Sequence, residues 1–262
     1  MTSLNQQVLL VTGATGIAGA TLKLAVASGA RVYYTGLEED ACRQLAAELN
    51  APQAVGYRAL DIMDPENAET LVSACVERFG RLDALFNVAG TSGRKYGDGP
   101  LESCTEEGWT RTMQANLDTQ YRMSREAIRQ MQRQPPQSDG TRGVILNMSS
   151  ILGLSPEPGH FSALAYATAK GAIVTMTRQL AAFYAGAGIR VNAIAPGLAA
   201  TRMSARAMAS PEILSFVEKK QPLTAGVIPV EDIAGIAVFL LSSQSRVITA
   251  QTIVCDAGWS VS

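Results

Sequence analysis

Short runs of apolar and β-branched residues alternate along the chain with longer segments that have a helical period. The short runs predict strands at 8–11, 31–35, 54–60, 82–88, 144–148, 189–195 and 252–255. The longer segments predict helices near 17–28, 38–49, 66–79, 105–133, 161–185 and 230–242. Strands and helices that alternate throughout a chain form a parallel sheet covered by helices on both faces.

The order of these elements predicts a single α/β domain over residues 1–262. Its first strand feeds a glycine-rich turn, which favours a doubly wound, Rossmann-type, seven-stranded parallel sheet. The hydrophilic segment 134–140 is interpreted as a surface loop, because the strand pattern continues beyond it. Residues 198–229 fit no strand, and we expect this segment, called the lid below, to cross the sheet edge. Ligands of this fold bind at the carboxyl ends of the strands.

The charge balance argues against partners that bind through a large positive surface. The 262 residues include 22 Lys and Arg against 23 Asp and Glu, a formal net charge of −1. Nucleic acids and anionic lipids attract a basic surplus, so a small molecule is the favoured partner. No apolar stretch approaches the roughly 18 residues of a membrane span, and no signal-peptide pattern is present, so we expect a cytoplasmic protein.

The supply of metal ligands is small. His160 is the one histidine, and the four cysteines form no C-x-x-C pair. A two-histidine metal site is therefore impossible within one chain, and we predict no bound metal and reduced cysteines. His160 could contact a substrate, but a surface or capping role is favoured.

Glycines mark the junction between the first predicted strand and the first predicted helix. Gly13 permits a tight turn, Gly16 lets backbone N–H groups approach a phosphate, and Gly19 permits close packing of helix on sheet. The N-terminus of the helix attracts the anion. The turn therefore predicts a phosphate-binding site, although such glycines alone are equally consistent with a structural turn.

Tyr166 and Lys170 are four residues apart, which places both on one face of a predicted helix. An ammonium near a phenol stabilises the phenolate, so the pKa of Tyr166 is expected to fall towards neutral. Upstream, a predicted strand ends in Ser149 and Ser150, where a hydroxyl can donate to a developing oxyanion. The alternatives are an amphipathic helix with an exposed lysine and serines that cap a turn.

The motifs occur together in an order that resembles the short-chain dehydrogenase/reductase family from Val8 to about Gly258. They are the turn at 12–19, Asp61 with Ile62, residues 87–90, Asn116, Ser150, Tyr166 with Lys170, and Pro196-Gly197 with Thr201. The resemblance implies an NAD(P)-dependent oxidoreductase that transfers a hydride between nicotinamide and a small alcohol or ketone.

By the same resemblance, Tyr166 is the general acid/base and Ser150 orients the substrate oxygen. Lys170 is implied to lower the pKa of Tyr166 and to bind the nicotinamide ribose, and Asn116 to hold a water in a proton relay. The dinucleotide is implied to contact Gly13, Thr15, Gly16, Ile17, Gly36, Leu37, Asp61, Ile62, Asn87, Ala89, Gly90, Pro196, Gly197, Ala199 and Thr201, as well as Tyr166 and Lys170.

Within that set, Asp61 is expected to bond the adenine amine, and Ala199 and Thr201 to fix the carboxamide. Asp61 could equally be a cap or turn residue, Asn87 a turn former, and Asn116 a polar residue in mid-helix. The glycine spacing is Gly-x-x-Gly-x-x-Gly in place of the more usual Gly-x-x-x-Gly-x-Gly, and the interval from Ser150 to Tyr166 is longer than usual.

The choice between NAD and NADP is usually made after the second strand. Gly36 stands where an NAD-binding aspartate is expected, and Leu37 where an NADP-binding arginine is frequent. Glu38 and Glu39 would repel a 2′-phosphate, and the glycine-rich turn has no basic residue. These features favour NAD.

Two questions about partners stay open at this point. Arg94 and Lys95 follow the turn at 87–90, so a substrate carboxylate is conceivable, but solvated surface charge is the favoured interpretation. The resemblance implies a homotetramer that pairs the helices near 105–133 and 161–185 and the last strand.

Two other function classes compete with an oxidoreductase. A non-catalytic dinucleotide-sensing protein is disfavoured by the full Ser150, Tyr166, Lys170 and Asn116 set. An epimerase or dehydratase on the same fold is disfavoured by the short chain, which leaves no room for a large C-terminal domain.

Overall fold

The computed structural model describes residues 4–262, and the strands in that range all belong to one sheet. They are β1 (Val8–Thr12), β2 (Arg31–Gly36), β3 (Val55–Ala59), β4 (Ala84–Asn87), β5 (Gly143–Met148), β6 (Ile189–Pro196) and β7 (Thr252–Cys255). Each neighbouring pair is parallel, and the order is β3-β2-β1-β4-β5-β6-β7. The predicted single-domain, seven-stranded Rossmann-type sheet is confirmed.

The helices cover both faces of this sheet. They are α1 (Gly16–Ala27), α2 (Glu39–Leu49), α3 (Asn67–Phe79), α4 (Glu106–Met113), α5 (Thr119–Arg133), α6 (Leu164–Tyr184), α7 (Ala205–Met208), α8 (Pro211–Lys220) and α9 (Val230–Leu241). One apolar core joins the sheet to α1, α2 and α9, and a second joins it to α3, α5 and α6. None of the helices in residues 4–262 is long and apolar enough to cross a membrane.

The central strands β1, β4 and β5 appear in the sequence as continuous apolar runs because they are buried on both faces. Successive side chains of a strand point to opposite faces. In β1, Leu9 and Val11 pack into the core with α1, whereas Val8 and Leu10 pack into the core with α3. The four cysteines are free, and Cys42, Cys75 and Cys255 are buried.

The chain reverses its direction of winding between β1 and β4, which lie side by side at the centre of the sheet. Thr12, at the end of β1, accepts hydrogen bonds from the backbone N–H groups of Val88 (2.9 Å) and Ala89 (3.2 Å). These two hydrogen bonds connect the turn after β1 to the turn after β4. The crevice at such a reversal is where ligands bind in this architecture.

Two predicted helices differ from those observed. The segment 105–133 is divided by a π-helical turn at Gln114–Asp118, where the Asn116 side chain bonds two backbone carbonyls. The segment 161–185 becomes helical only at Leu164, because a carboxylate from a distant loop caps it there. The lid contains the short helices α7 and α8, and its two ends meet at a bridge between Ala199 and Ile228.

Candidate active site

Tyr166 and Lys170 lie close together on α6, as their spacing predicted. The Lys170 Nζ is 5.4 Å from the centroid of the Tyr166 ring. Lys170 also contacts the end of β5, because its Nζ donates to the backbone oxygen of Met148 at 2.9 Å. The pair therefore lies at the carboxyl edge of the sheet, where a ligand of this fold is expected.

Lys170 is not the exposed lysine of an ordinary amphipathic helix. It is only 2% exposed, and its Nζ donates a hydrogen bond to the backbone oxygen of Met148. Burial disfavours the charged ammonium and lowers the pKa of Lys170 to about 7. The buried amine therefore loses its proton more readily than the amine of an exposed lysine does.

The pKa of Tyr166 differs from the prediction. Burial raises the pKa of its phenol, and a hydrogen bond with Ser150 lowers it by a smaller amount. The prediction that the pKa of Tyr166 falls towards neutral is therefore wrong for the free protein. The reason is that burial of the phenol disfavours its ionised form by more than the hydrogen bond with Ser150 favours it.

Ser150 and Ser149 have different partners although they are adjacent. Ser150 bonds the Tyr166 phenol and also accepts the N–H of Leu152 at 3.3 Å. Ser150 therefore contacts the Tyr166 phenol and also caps the turn that follows β5, the two roles that the sequence left open. Ser149 donates to the backbone oxygen of Lys170 at 2.8 Å and so fixes α6 against the end of β5.

Asn116 lies in the π-helical turn and faces the same space. Its Nδ2 donates to the backbone oxygens of Thr91 and Thr112, both at 2.9 Å, while its buried Oδ1 has no hydrogen-bond partner in residues 4–262. A Cβ on Gly90 would collide with that Oδ1 and lie 3.6 Å from Lys170 Nζ. An unpartnered acceptor and an amine thus border one space above Gly90.

The glycine-rich turn forms a cradle at the start of α1. Gly13 and Gly16 have φ values of 130° and 58°, and Thr15 at the N-cap gives the helix no side-chain cap. A Cβ on Gly16 would lie 3.1 Å from Cγ2 of Thr201 in the lid. Uncapped N–H groups and a positive helix terminus therefore face space that glycine keeps open, which fits a dinucleotide pyrophosphate.

The structure brings the other predicted cofactor residues to the same edge of the sheet. Ile17 lies in the first turn of α1, and Gly36 ends β2 with Leu37 directly after it. Asp61 and Ile62 follow β3, Ala89 and Gly90 follow β4, and Pro196 ends β6 before Gly197, Ala199 and Thr201.

Asp61 and Asn87 already have partners in the protein. Asp61 is exposed, and its Oδ1 accepts the N–H of Met63 at 2.9 Å, so it is a turn residue whatever else it binds. Asn87 is no turn former. It is buried at the end of β4, where its Nδ2 donates to Asn147 Oδ1 (3.0 Å) and Ser124 Oγ (3.1 Å).

The loops above the site place His160 and the basic residues. The His160 ring packs edge-on against Phe216 at 5.3 Å, with Nε2 3.8 Å from Glu212 Oε1. Lys95 is exposed over the Tyr96 ring, as expected of surface charge. Arg94 was expected to be solvated too, but it is only partly exposed and donates to the His160 backbone oxygen.

Asp98 is a residue of the site that the sequence did not reveal. It is 6% exposed, and its two carboxylate oxygens accept the N–H groups of Ala165 (2.9 Å) and Tyr166 (3.0 Å). These N–H groups have no partner within the helix, so Asp98 caps α6 at the residue that carries the phenol. The contact spans 67 residues of sequence, which hid it from local patterns.

We expect Asp98→Ala to weaken both folding and turnover. Loss of this cap should lower the free energy of unfolding by about 2 kcal/mol. The start of α6 would lose its anchor, so kcat should fall while the dissociation constant for the dinucleotide is unchanged. Urea unfolding and steady-state kinetics measure the two effects.

Asp64→Ala is the matched control, because Asp64 Oδ1 accepts one backbone N–H, from Glu66 at 3.0 Å, at an exposed turn before α3. It should lose some stability and keep its kcat. Equal kcat in the two variants would show that Asp98 has no positioning role.

The buried amine of Lys170 makes stability depend on pH. Its pKa is about 7 in the folded protein, against about 10.4 in an unfolded chain. Between these values the unfolded chain binds a proton that the folded protein does not, so stability rises with pH by at most about 1.4 kcal/mol per unit. Below about pH 7 both states are charged and the cost of burial is fully present.

Lys170→Met removes this titration and keeps an apolar side chain of similar length. We expect the free energy of unfolding of the native protein, relative to Lys170→Met, to increase between about pH 7 and about pH 9.5. Urea titrations at several pH values measure the difference. A difference that is constant over this range contradicts the lowered pKa.

No group of three or more His, Cys, Asp or Glu side chains in residues 4–262 is arranged to hold a metal ion.

The comparisons with known proteins identify relatives that are named for reactions on organic substrates. A family model described as Enoyl-(Acyl carrier protein) reductase matches residues 11–260. The A-factor type gamma-butyrolactone 1'-reductase (1S-forming) of Streptomyces virginiae is 34% identical over 263 residues, which cover 98% of this chain and 97% of the relative.

Two solved structures have the same fold over nearly all of the chain. A short-chain type dehydrogenase/reductase from Mycobacterium ulcerans superposes with a TM-score of 0.88 at 30% identity and covers 99% of this chain and 91% of its own. The RhlG/NADP active-site complex of Pseudomonas aeruginosa gives 0.89 at 28% identity, with 99% and 98% covered.

Proposed function

Because the chain belongs to the short-chain dehydrogenase/reductase family, we propose that it transfers a hydride between NAD(P) and the alcohol or carbonyl group of a small molecule, with Tyr166 as general acid/base. The observation that supports this most is the Tyr166 phenol bonded to Ser150, with the Lys170 amine one turn along α6. These three groups lie at the sheet edge beside the glycine cradle.

The dinucleotide, when bound, supplies or accepts the hydride. In the oxidation direction the substrate carbon loses a hydride and its hydroxyl proton passes to the ionised oxygen of Tyr166, so C–H and O–H bonds are replaced by one C=O bond. Ser150 donates a hydrogen bond to the substrate oxygen in either direction. In the reduction direction the protonated Tyr166 and Ser150 both donate to the carbonyl oxygen and stabilise the negative charge that develops on it.

Lys170 is proposed to bind the nicotinamide ribose and to lower the pKa of Tyr166 in the complex. In the free protein its amine has the backbone oxygen of Met148 as acceptor and a pKa of about 7. Hydroxyl acceptors beside the amine would favour its charged form, and the ammonium would then favour the phenolate.

Asn116 is proposed to hold a water that connects Lys170 to solvent. Its unpartnered Oδ1 and the Lys170 Nζ border the same space above Gly90. A buried acceptor without a partner is costly, and a bridging water would satisfy it. Protons released from Tyr166 could leave the site along this path.

We propose NAD as the preferred cofactor. Leu37 is 73% exposed at the end of β2 and offers no charge to a 2′-phosphate, while Glu38 beside it is ion-paired with Arg202 of the lid at 3.4 Å. The NADP in the Pseudomonas aeruginosa complex shows that this fold also accepts the phosphorylated form. Initial rates measured with NAD and with NADP test this preference. A rate ten times higher with NADP would overturn the proposal that NAD is the preferred cofactor.

The function is tested by a panel of alcohols, ketones, sugars and steroids with either cofactor, following the absorbance of the reduced nicotinamide. Turnover that requires a dinucleotide and a carbonyl or alcohol supports it. Tight dinucleotide binding without turnover on any member would favour the non-catalytic sensing protein instead.

We further propose that residues 198–229 act as the substrate lid.

We also propose that the protein is a cytoplasmic homotetramer. Tyr121 on α5 and Phe183 on α6 are 51% and 71% exposed, and they belong to the helices expected to pair between subunits. Light scattering at micromolar concentration should give four times the mass of the 27.7 kDa chain. A monomer at that concentration contradicts the assembly.

A further inference from the structure

Two arginines from different segments converge on one backbone oxygen beside the candidate active site. Arg94, in the loop after β4, donates from Nη2 to the oxygen of His160 at 3.2 Å. Arg206, exposed in α7 of the lid, donates from Nη2 to the same oxygen at 2.8 Å. His160 itself lies in the loop that leads into α6. The three segments that border the site therefore meet at this pair of guanidinium groups.

Neither guanidinium has an acidic partner within residues 4–262. The ion pairs of that range, all within 4.0 Å, include neither Arg94 nor Arg206. Asp98 acts electrostatically on Arg94, but its two oxygens are occupied by the N–H groups of Ala165 and Tyr166. Glu212, near His160, is 82% exposed. The pair therefore carries positive charge without an ion-pair partner among residues 4–262.

A purely structural role explains this arrangement poorly. Each guanidinium has five N–H donors, whereas the acceptor that they share is one neutral carbonyl. Burial, and next the repulsion of Arg206, lower the pKa of Arg94, and only Asp98 opposes this. Neutral donors would tie the three segments together without that repulsion. Paired guanidiniums instead match an oxyanion, which accepts several charge-assisted hydrogen bonds at once.

The pair also lies near the proposed chemistry. The Arg94 loop begins at Gly90, which borders Asn116 and Lys170, and continues to Asp98, which holds the start of the Tyr166 helix. On the lid side, Ala207 next to Arg206 packs in one buried cluster with Ile151, which directly follows Ser150. The segments that carry the two arginines therefore also carry residues that contact Lys170, Tyr166 or the residue after Ser150.

We propose that Arg94 and Arg206 form a subsite for an oxyanion group of the substrate, a carboxylate, sulfonate or phosphate. The proposal rests on the oxidoreductase function and narrows its substrate class to alcohols and carbonyl compounds that bear such a group. The hydride is exchanged at the carbon held by Ser150 and Tyr166, and the anionic group stays unchanged at the other end of the molecule.

The test compares acidic substrates with their neutral counterparts. Oxo acids of increasing chain length, each beside its methyl ester, are assayed with NADH and NADPH, and oxo sulfonates and oxo phosphonates distinguish the kinds of anion. We expect an anionic compound to have the higher kcat/KM. Arg94→Gln and Arg206→Gln should each lower that value roughly 10- to 100-fold, mainly through KM, and leave the ester unchanged.

Lys95→Gln and Lys219→Gln are the matched controls. Both lysines are exposed, and each substitution removes one positive charge, the first from the loop and the second from the lid. They should leave kcat/KM for the acid within about twofold, since neither lysine donates to the His160 oxygen that Arg94 and Arg206 share. If the ester is used as well as the acid, or if the arginine variants affect both compounds alike, the subsite is refuted while the oxidoreductase function stands.

A second readout separates failure of the subsite from failure of the proposed function. If no carbonyl compound is turned over with either cofactor, the function fails, and binding of the same acids is measured by thermal denaturation. An increase in Tm with the acids, absent with the esters and lost in Arg94→Gln and Arg206→Gln, keeps the oxyanion subsite. No increase in Tm with any acid overturns it.

Discussion

Tyr166→Phe is expected to bind the dinucleotide as the native protein does and to lose most of its turnover. The substitution removes only the phenolic oxygen and leaves the ring on α6. General acid/base catalysis by one side chain contributes about 10²- to 10⁴-fold, so kcat should fall by a factor in that range. Cofactor titration followed by nicotinamide fluorescence, and steady-state rates on the best member of the substrate panel, measure the two properties.

Tyr184→Phe is the matched control, since it makes the same change at the last residue of the same helix. It should retain both the cofactor affinity and the kcat of the native protein. Native turnover in Tyr166→Phe would remove Tyr166 from the proposed chemistry. Loss of cofactor binding in that variant would mean that the phenol serves binding and not proton transfer.

Gly16→Val is expected to weaken dinucleotide binding by about 100-fold or more, about 2.7 kcal/mol, and to keep the fold. A Cβ at this position would lie 3.1 Å from Cγ2 of Thr201, and the two added methyl groups would fill the space between the turn and the lid. The φ of 58° also costs a β-branched residue about 1–3 kcal/mol of stability. Isothermal titration with NAD and NADP measures the affinity.

Gly140→Val separates the two effects. Gly140 has a φ of 83°, and a Cβ there would meet nothing within 4 Å, so the variant has comparable backbone strain without filling the cradle. It should lose a similar amount of stability and bind the dinucleotide with native affinity. Native affinity in Gly16→Val would show that the pyrophosphate binds elsewhere.

Local sequence patterns were enough to predict the sheet. The central strands are buried on both faces, so each of them is a continuous apolar run that a short window detects, as in β1 and β5. The proximity of Tyr166 and Lys170 was predictable for the same reason, because the helix period alone places residues four apart on one face. Both features depend on neighbours in sequence.

The features that the sequence missed depend on contacts between distant segments. Helix α6 begins at Leu164 because Asp98 reaches its first N–H groups across 67 residues. The pKa of Lys170 depends on its burial against β5, and the hydrogen bonds of Arg94 depend on where the His160 loop lies. No local pattern encodes these distances, so the sequence did not predict the charge states and hydrogen-bond partners of these residues.

The central claim is that the phenol of Tyr166 and the amine of Lys170 act beside a bound dinucleotide. A crystal structure of the protein with NAD or NADP bound tests it most directly. We expect the pyrophosphate at the turn of Gly13 and Gly16, the ribose of the nicotinamide within hydrogen-bonding distance of Lys170 Nζ, and the nicotinamide ring facing the Tyr166 hydroxyl. A dinucleotide bound away from the glycine turn, or a nicotinamide that leaves Tyr166 and Lys170 without contact, would contradict it.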